Sequence, residues 1–574
     1  MKRTLTSSFA TAVCLCAVLS ARGQASFTKV TTGPIATDRG NFGGATWSDF
    51  RNTNLLDLLV CDYAGGTNGF YRNNGDGTFA KITNAPFIQG GLYQVGPVAA
   101  DFANGGSLDL FISAGNAAPT ARPNRLYYNN GEGTFTPVSG GGITNFTGFW
   151  NGCGAVDYDN DGFVDLFIPG VDTPSLLFHN NGDGTFKRVV SAGSIVTDVV
   201  YNSGLAWVDY DNDGFMDCFI SHAQDARNYL YHNNGNGTLT RITATNPIVT
   251  DSWTDGSWGA AGGDYDNDGL PDLFVTGMTS INRLYHNNGG GVFTNVTSGP
   301  MLAAPPGGGS RCCAWGDYDN DGYLDLFVGS YNAASRLFHN NGDGTFTQIT
   351  NDVFSSDANV GIACQSCGFV DYDNDGFLDL FVTRGADAGQ TSNLLYHNNR
   401  GGNSNSNAWL EVALVGTAAN RSAIGAKVRL HAMIGGKAFW QMREVKNDEG
   451  RFIHPLVAHF GLGDATNADT LRIEWPSGIV QTLTTVAPRQ LLTVVEHQPG
   501  PVNAPQFTGV SRATNGAVSI SVSGDTGLLY VFEASTNLLN WTKVGVRSNA
   551  TGTVAFTDAN AGNHANRFYR VSVP

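Results

Sequence analysis

Charge is scarce in this chain. Charged residues make up 14% of 574, and Lys and Arg (33) are outnumbered by Asp and Glu (49). The balance excludes the basic patches that nucleic acid or anionic lipid requires. A cation is the natural counterpart. Long apolar runs are missing after the N-terminus, so no later segment reads as a membrane span. No Gly-x-Ser-x-Gly elbow and no His-Glu-x-x-His pair occurs, which removes two common hydrolytic centres.

Cysteine is sparse as well. Cys14 and Cys16 fall within residues 1–25, which read as an export signal: "MKR", an apolar stretch too short to cross a bilayer, and small residues ending at Ala25. Removing that segment takes Lys2, Arg3 and Arg22 with it and moves the net charge from −16 to −19. The remaining cysteines are Cys61, Cys153, Cys218, Cys312, Cys313, Cys364 and Cys367, an odd set that cannot pair completely within one chain. "CQSC" at 364–367 lacks the βαβ context of a redox motif. In an oxidising compartment, a bridge from Cys312 or Cys313 to Cys364 or Cys367 is the expectation, with the pairing open.

Glycine, in contrast, is abundant at 74, and with Asn and Thr it points to short strands joined by tight turns. The stretch "DYDNDGFVDLFI" begins at Asp157, and close copies begin at Asp209, Asp264, Asp317 and Asp371. Two worn copies begin at Asp49 and Asp101, so seven starts recur every 52 to 56 residues. That period suits a four-stranded propeller blade. Each unit offers a Gly/Ala/Trp-rich strand, the acidic loop, an apolar strand, and a hairpin of the type "RLFHNNGDGTFTQIT". The last unit lacks its fourth strand, and "SFTKVT" at the mature N-terminus matches the missing piece. Residues 26–402 are therefore read as a seven-bladed β-propeller whose ring is closed by its first strand.

Five loops keep Asp-x-Asp-x-Asp-Gly-x-x-Asp. Oxygen ligands on alternate residues of a tight loop suit a hard cation, and flexible coordination by six to eight oxygens favours calcium. The expected side-chain ligands are Asp157, Asp159, Asp161 and Asp165; Asp209, Asp211, Asp213 and Asp217; Asp264, Asp266, Asp268 and Asp272; Asp317, Asp319, Asp321 and Asp325; Asp371, Asp373, Asp375 and Asp379. The expected backbone ligands are the carbonyls of Phe163, Phe215, Leu270, Tyr323 and Phe377. An EF-hand is excluded, because its twelfth position needs an acid and these loops carry residues such as Ile168 and Ile220. Arg51, Thr53, Ala103 and Gly105 replace the middle aspartates of the first two loops, where no calcium is expected. About five Ca2+ ions are expected in all.

His179, His232, His286, His339 and His397 stand one per blade before the hairpin turn and are read as packing residues. Trp47, Trp207 and Trp315 precede their loops by two positions and are read as core. On the face opposite the acidic loops, Trp150, Trp253, Trp258 and Arg384 are candidate ligand contacts.

The repeats resemble FG-GAP/VCBS repeats, the calcium-binding blades of integrin α-subunit propellers. Residues 403–497, with "NRSAIGAKVRL", "VAHFGLGDATNADTLRIEWPSG" and "LLTVVE", resemble the ASPIC/UnbV domain. The combination is similar to that of cartilage-acidic-protein-like secreted proteins, many of them bacterial. The resemblance implies calcium in the five intact loops and a secreted or cell-surface, non-catalytic interaction protein with an extracellular protein or glycan as partner. It brings no catalytic set. Four segments of this domain read as strands, and a compact β-domain beside the propeller is expected, with Glu444, Asp448, His459 and Glu474 as scattered polar residues. Residues 498–504 read as a Pro/Gly linker and 505–574 as a small β-sandwich, similar to C-terminal modules of secreted bacterial proteins. The competing reading is an extracellular enzyme, of polysaccharide lyase or hydrolase type, using the face opposite the acidic loops; fold alone does not decide between the two.

Overall fold

A computed structural model describes residues 26–572 apart from 92, 116–121, 141, 224–226, 244–245, 280, 351–352, 358–360, 387–389, 401–404, 448–450, 498–504, 525–528, 540, 549–551 and 565. The export-signal and linker expectations lie outside the described residues. Two compact units emerge, one ending at Glu496 and one beginning at His497. No helix among the described residues is long and apolar enough to cross a membrane.

The first unit contains a seven-bladed propeller of antiparallel sheets. Blade four shows the plan: Val199–Val208, Asp217–His222, Tyr229–Asn233 and Leu239–Arg241 pair in sequence order. First strands of neighbouring blades touch one another and so line the axis. The ring closes as the sequence predicts. Phe27–Lys29 pairs with Leu394–Asn398, completing the seventh blade, and the Phe27 ring packs on Tyr318 and Phe354. Trp47, Trp207 and Trp315 are buried between blades.

The disulfide expectation is not met. All seven cysteines described are buried thiols, with Cys312 beside both Cys364 and Cys367.

The domain after the propeller corrects the sequence reading. It comprises two sheets, ordered Val457–Gly463, Ala408–Val415, Leu491–Val495 and Lys437–Glu444, Lys427–Ile434, Ala468–Glu474, Val480–Val486. Val412, Val428, Leu430, Phe460 and Ile473 are among the residues that fill the space between them. Rather than sitting beside the ring, this domain caps the face that carries the acidic loops. Ser422 Oγ accepts from Asp101 N, Lys427 Nζ donates to Asp209 Oδ2, Arg429 donates to the Gly269 carbonyl, and Gly463 N donates to the Asn320 carbonyl.

From this cap a finger enters the axial channel. Phe452–Ile453 adds a short parallel strand to Phe42–Ser48 of the first blade. Ala45 N donates to the Arg451 carbonyl, and Arg451 itself donates to Asn151 and Gln365. Those two residues stand six positions before their loop aspartates, so the finger reaches about 20 Å down the inner strands at roughly 3.3 Å per residue. Glycine makes room for it: a Cβ on Gly44 would collide with the carbonyl oxygens of Val95 and Arg451.

The second unit is a small sandwich of two three-stranded sheets, ordered Gln506–Arg512, Val518–Ser523, Thr553–Asp558 and Thr542–Ser548, Leu529–Ser535, Phe568–Ser572. Ile520, Val522, Tyr530 and Phe532 form its core.

Phe27→Ala leaves the closing strand without its aromatic anchor. The expected cost is about 3 kcal/mol, read as a lowered denaturation midpoint with an unchanged slope.

Candidate metal centres

The first aspartate of every loop is a backbone cap. Asp157 Oδ1 accepts from Asp161 N and Oδ2 from Gly162 N. The same pair of bonds recurs at Asp209, Asp264, Asp317 and Asp371, and also at Asp49 and Asp101 in the worn loops. The fourth loop residue is always an Asn in the left-handed region, with φ from 50° to 61°, a conformation Asn tolerates better than most side chains.

Those seven asparagines bind the blades together. Asn160 donates to the Gly214 carbonyl of the next blade, and Asn52, Asn104, Asn212, Asn267, Asn320 and Asn374 do likewise, at 2.8–3.3 Å around a closed circle. A second circle runs the other way. Asn180 reaches back to the Phe102 carbonyl, with Asn73, Asn129, Asn233, Asn287, Asn340 and Asn398 equivalent at 2.7–2.8 Å. Neither circle was anticipated from the sequence, although the invariance of these two Asn positions across all seven units was the available signal.

The intact loops carry further carboxylates besides this cap. In each, one oxygen of the third residue is buried with no hydrogen-bond partner: Oδ1 of Asp159, Asp211, Asp266, Asp319 and Asp373. The ninth aspartate is almost wholly buried, and its Oδ1 accepts a backbone N–H from the third strand, as at Asp165 from Asn180 N. The fifth aspartate turns the chain by accepting from the seventh residue's N–H; Phe163, Phe215, Leu270, Tyr323 and Phe377 are those donors. Burial pushes Asp157 up to about 7 and Asp165 and Asp264 up to about 8, and neighbouring carboxylates add to the rise. Crowded, desolvated carboxylates with an orphaned oxygen in each set fit a divalent cation.

The histidines do not converge across blades, but each meets the acidic loop of its own blade. The groups Asp159–Asp165–His179, Asp211–Asp217–His232, Asp266–Asp268–His286, Asp319–Asp321–His339 and Asp373–Asp379–His397 each bring their ligand atoms within 4.8 Å of one another. The ninth aspartate's carboxylate, beside each imidazole, lifts His179, His232 and His286 to about 9.

Loop one carries its cation covalently. Arg51 forks onto Asp57 at 2.8 and 3.0 Å. In loop two only Asp101 and Asp109 remain, and burial raises Asp109 to about 7. Local cations also reach two intact loops: Lys427 binds Asp209 and Asn212 in loop four, and Arg400 binds Asp375 in loop seven.

The candidate ligand-face residues fare less well. Trp150 and Trp253 are each only 3% exposed, packed into the blade cores, so they present no ring to a partner. Trp258 stacks under the Arg311 guanidinium at 4.2 Å, and Arg384 donates to the Ser392 carbonyl. Of the scattered polar residues in the cap, Glu444 accepts from Asp209 N and His459 bonds Asn320, both at the seam with the propeller; Asp448 lies outside the described residues. The seam holds a cavity of about 430 Å³ lined by residues that include Asp264, Asp317, Arg443, Glu444 and His459.

Comparison with known proteins agrees with this architecture. An FG-GAP-like repeat model matches residues 49–112, 104–168, 157–220, 209–275, 264–328 and 317–382, each window running from one acidic loop into the next. The chain belongs to the FG-GAP-like repeat family. Residues 416–501 match the ASPIC and UnbV model, which places that domain in the cap. The FG-GAP chain is homologous to cartilage acidic protein 1, at 30% identity to the Mus musculus protein over 287 residues, covering 48% of this chain and 41% of that one. The Homo sapiens protein is 29% identical over 269 residues, covering 44% and 38%. The chain thus spans about two fifths of these relatives' length. Among solved structures, an Agrocybe aegerita lectin that recognises non-reducing terminal N-acetylglucosamine aligns at 18% identity with a TM-score of 0.39, over 62% of this chain and 88% of that one.

Arg51→Met strands a buried carboxylate in the first FG-GAP loop. A loss of about 3 kcal/mol is expected, measured by urea denaturation, with Arg51→Lys recovering part of it.

Proposed function

We propose that the protein is a secreted, calcium-loaded propeller scaffold that binds an extracellular protein or glycan without catalysing a reaction. The observation that carries the calcium part is the set of five orphaned third-position oxygens, present in the intact loops and without counterpart in the two loops that have lost the pattern. The carboxylates of residues three, five and nine would hold each ion, and the ion would supply charge neutralisation and rigidity to the loop. The first aspartate's part is to hold the loop open in the shape that presents them.

The cap supports the placement of the partner site. Because the cap occupies the loop face, the opposite face is the propeller surface this domain leaves for recognition, and Trp258 and Arg384 belong to that side. The binding reading is preferred to the enzymatic one because the acids and bases of the seam already serve structure. Glu444 and His459 hold propeller loops, and Arg443 donates to the carbonyls of Met442 and His459. Export is supported by the N-terminal segment and by the homology to cartilage acidic protein 1.

Metal analysis of the purified protein is expected to find about five calcium ions per chain, one for each acid–His group. Chelation is expected to lower the melting temperature sharply, since each site contributes about 4 kcal/mol at a thousandfold excess of ion over its dissociation constant. An unchanged melting curve after demonstrated removal of metal would end the calcium reading. A glycan and peptide array, followed by a turnover assay on each hit, tests the rest: retained ligand with no product is expected, and released product would favour the enzyme.

A further inference from the structure

Five histidines coincide with five intact loops. The equivalent residue is Arg72 in blade one and Tyr128 in blade two, the blades whose loops have lost the middle aspartates. A packing role alone gives no reason for this match, since every blade needs that strand position filled.

The geometry within each group is that of ligands around one centre. His Nδ1 lies 3.4, 3.2, 3.2, 3.5 and 3.5 Å from the third aspartate's Oδ2 in the five blades. It lies 3.4, 3.2, 3.2, 3.1 and 3.2 Å from the ninth aspartate's Oδ1. Donors at right angles around an ion with bonds of about 2.2 Å stand roughly 3.1 Å apart, so these separations match neighbouring corners of one coordination shell. The ring is fixed from behind: Tyr158, Tyr210, Tyr265, Tyr318 and Tyr372, each the second residue of its loop, pack on the imidazoles at 6.1–6.4 Å between centroids. The Nδ1 atoms of His179, His232 and His397 are themselves buried without a hydrogen-bond partner, alongside the orphaned carboxylate oxygens.

We propose that His179, His232, His286, His339 and His397 are metal ligands, each supplying imidazole Nδ1 to the ion held by its own loop, so that these sites accept Mn2+ or Zn2+ as well as Ca2+. The inference rests on the metal-binding reading above and goes beyond it in the donor set. A carboxylate-only loop selects hard cations, whereas one imidazole nitrogen shifts preference towards first-row divalent ions. With Nδ1 on the ion, the ring's proton sits on Nε2. The two worn loops serve as internal controls, being deprived of both the acids and the imidazole.

The full-length protein, loaded with Mn2+, is examined by pulsed electron paramagnetic resonance for coupling to 14N. Coupling is expected in the wild type. It is expected to vanish when all five histidines become Gln, and to fall by about one fifth in His286→Gln, which alters one site of five and stays informative should the fivefold variant fold poorly. Titration calorimetry is expected to show Zn2+ affinity about tenfold weaker at a site without its imidazole, with Ca2+ affinity changed by less than about twofold, since oxygen donors dominate that ion's shell. Bound Mn2+ with no nitrogen coupling overturns the histidine assignment and leaves the calcium reading standing. A wild-type protein that takes up no divalent ion overturns both.

Discussion

Seven carboxylates that each grip two backbone N–H groups of a nine-residue loop set the geometry on which the molecule depends. That grip bends the chain so that the fourth residue enters the left-handed region and the sixth residue's carbonyl faces sideways. Only then can one blade's asparagine find the next blade's carbonyl, and only then do the remaining carboxylates converge. The two asparagine circles, the acidic clusters and the docking surface of the cap all follow from one capping interaction repeated around a ring. The worn loops make the order of dependence visible: they have given up the middle acids but kept the first aspartate, the asparagine and the ninth aspartate.

The electrostatic problem those loops create is solved in more than one way. Burial disfavours the charged form of carboxylates in the intact loops, close neighbours add to that, and their raised proton affinities express it. Loop one removes the problem with Arg51. Loop two removes it by discarding acids. The cap contributes too, for Lys427 reaches Asp209 and Asn420 reaches Asp157. Cap docking and loop charge are therefore one system, in which the second domain completes the surroundings of the first domain's acids.

Much of this was legible in the sequence because it is periodic. Seven repeats, four strands each, the N-terminal strand closing the last blade, and the separation of five intact loops from two worn ones all follow from residues that recur at fixed spacing. What the sequence concealed is what occurs once or acts across distance. Asn420, Lys427, Arg429 and Arg451 are ordinary polar residues in a linear reading, and nothing local says that they meet loops some 160 to 300 positions earlier. The spacing of the histidines shows that blades keep them apart, but not that each lies on the strand beside its own loop. Connectivity puts Trp150 and Trp253 in solvent-facing segments, but indole rings of that size gain more from filling the space between blades.

The finger in the axial channel has a consequence for assembly during synthesis. Residues 451–453 are translated after every blade, including the last strand of the ring, so the hub of the wheel is supplied by a segment made after all of them. Until it arrives, the inner edge of the first blade lacks its parallel neighbour and Asn151 and Gln365 lack the guanidinium that joins them. A nascent chain thus builds its rim first and receives its axle afterwards. The finished particle owes its rigid centre to a part that no blade encodes.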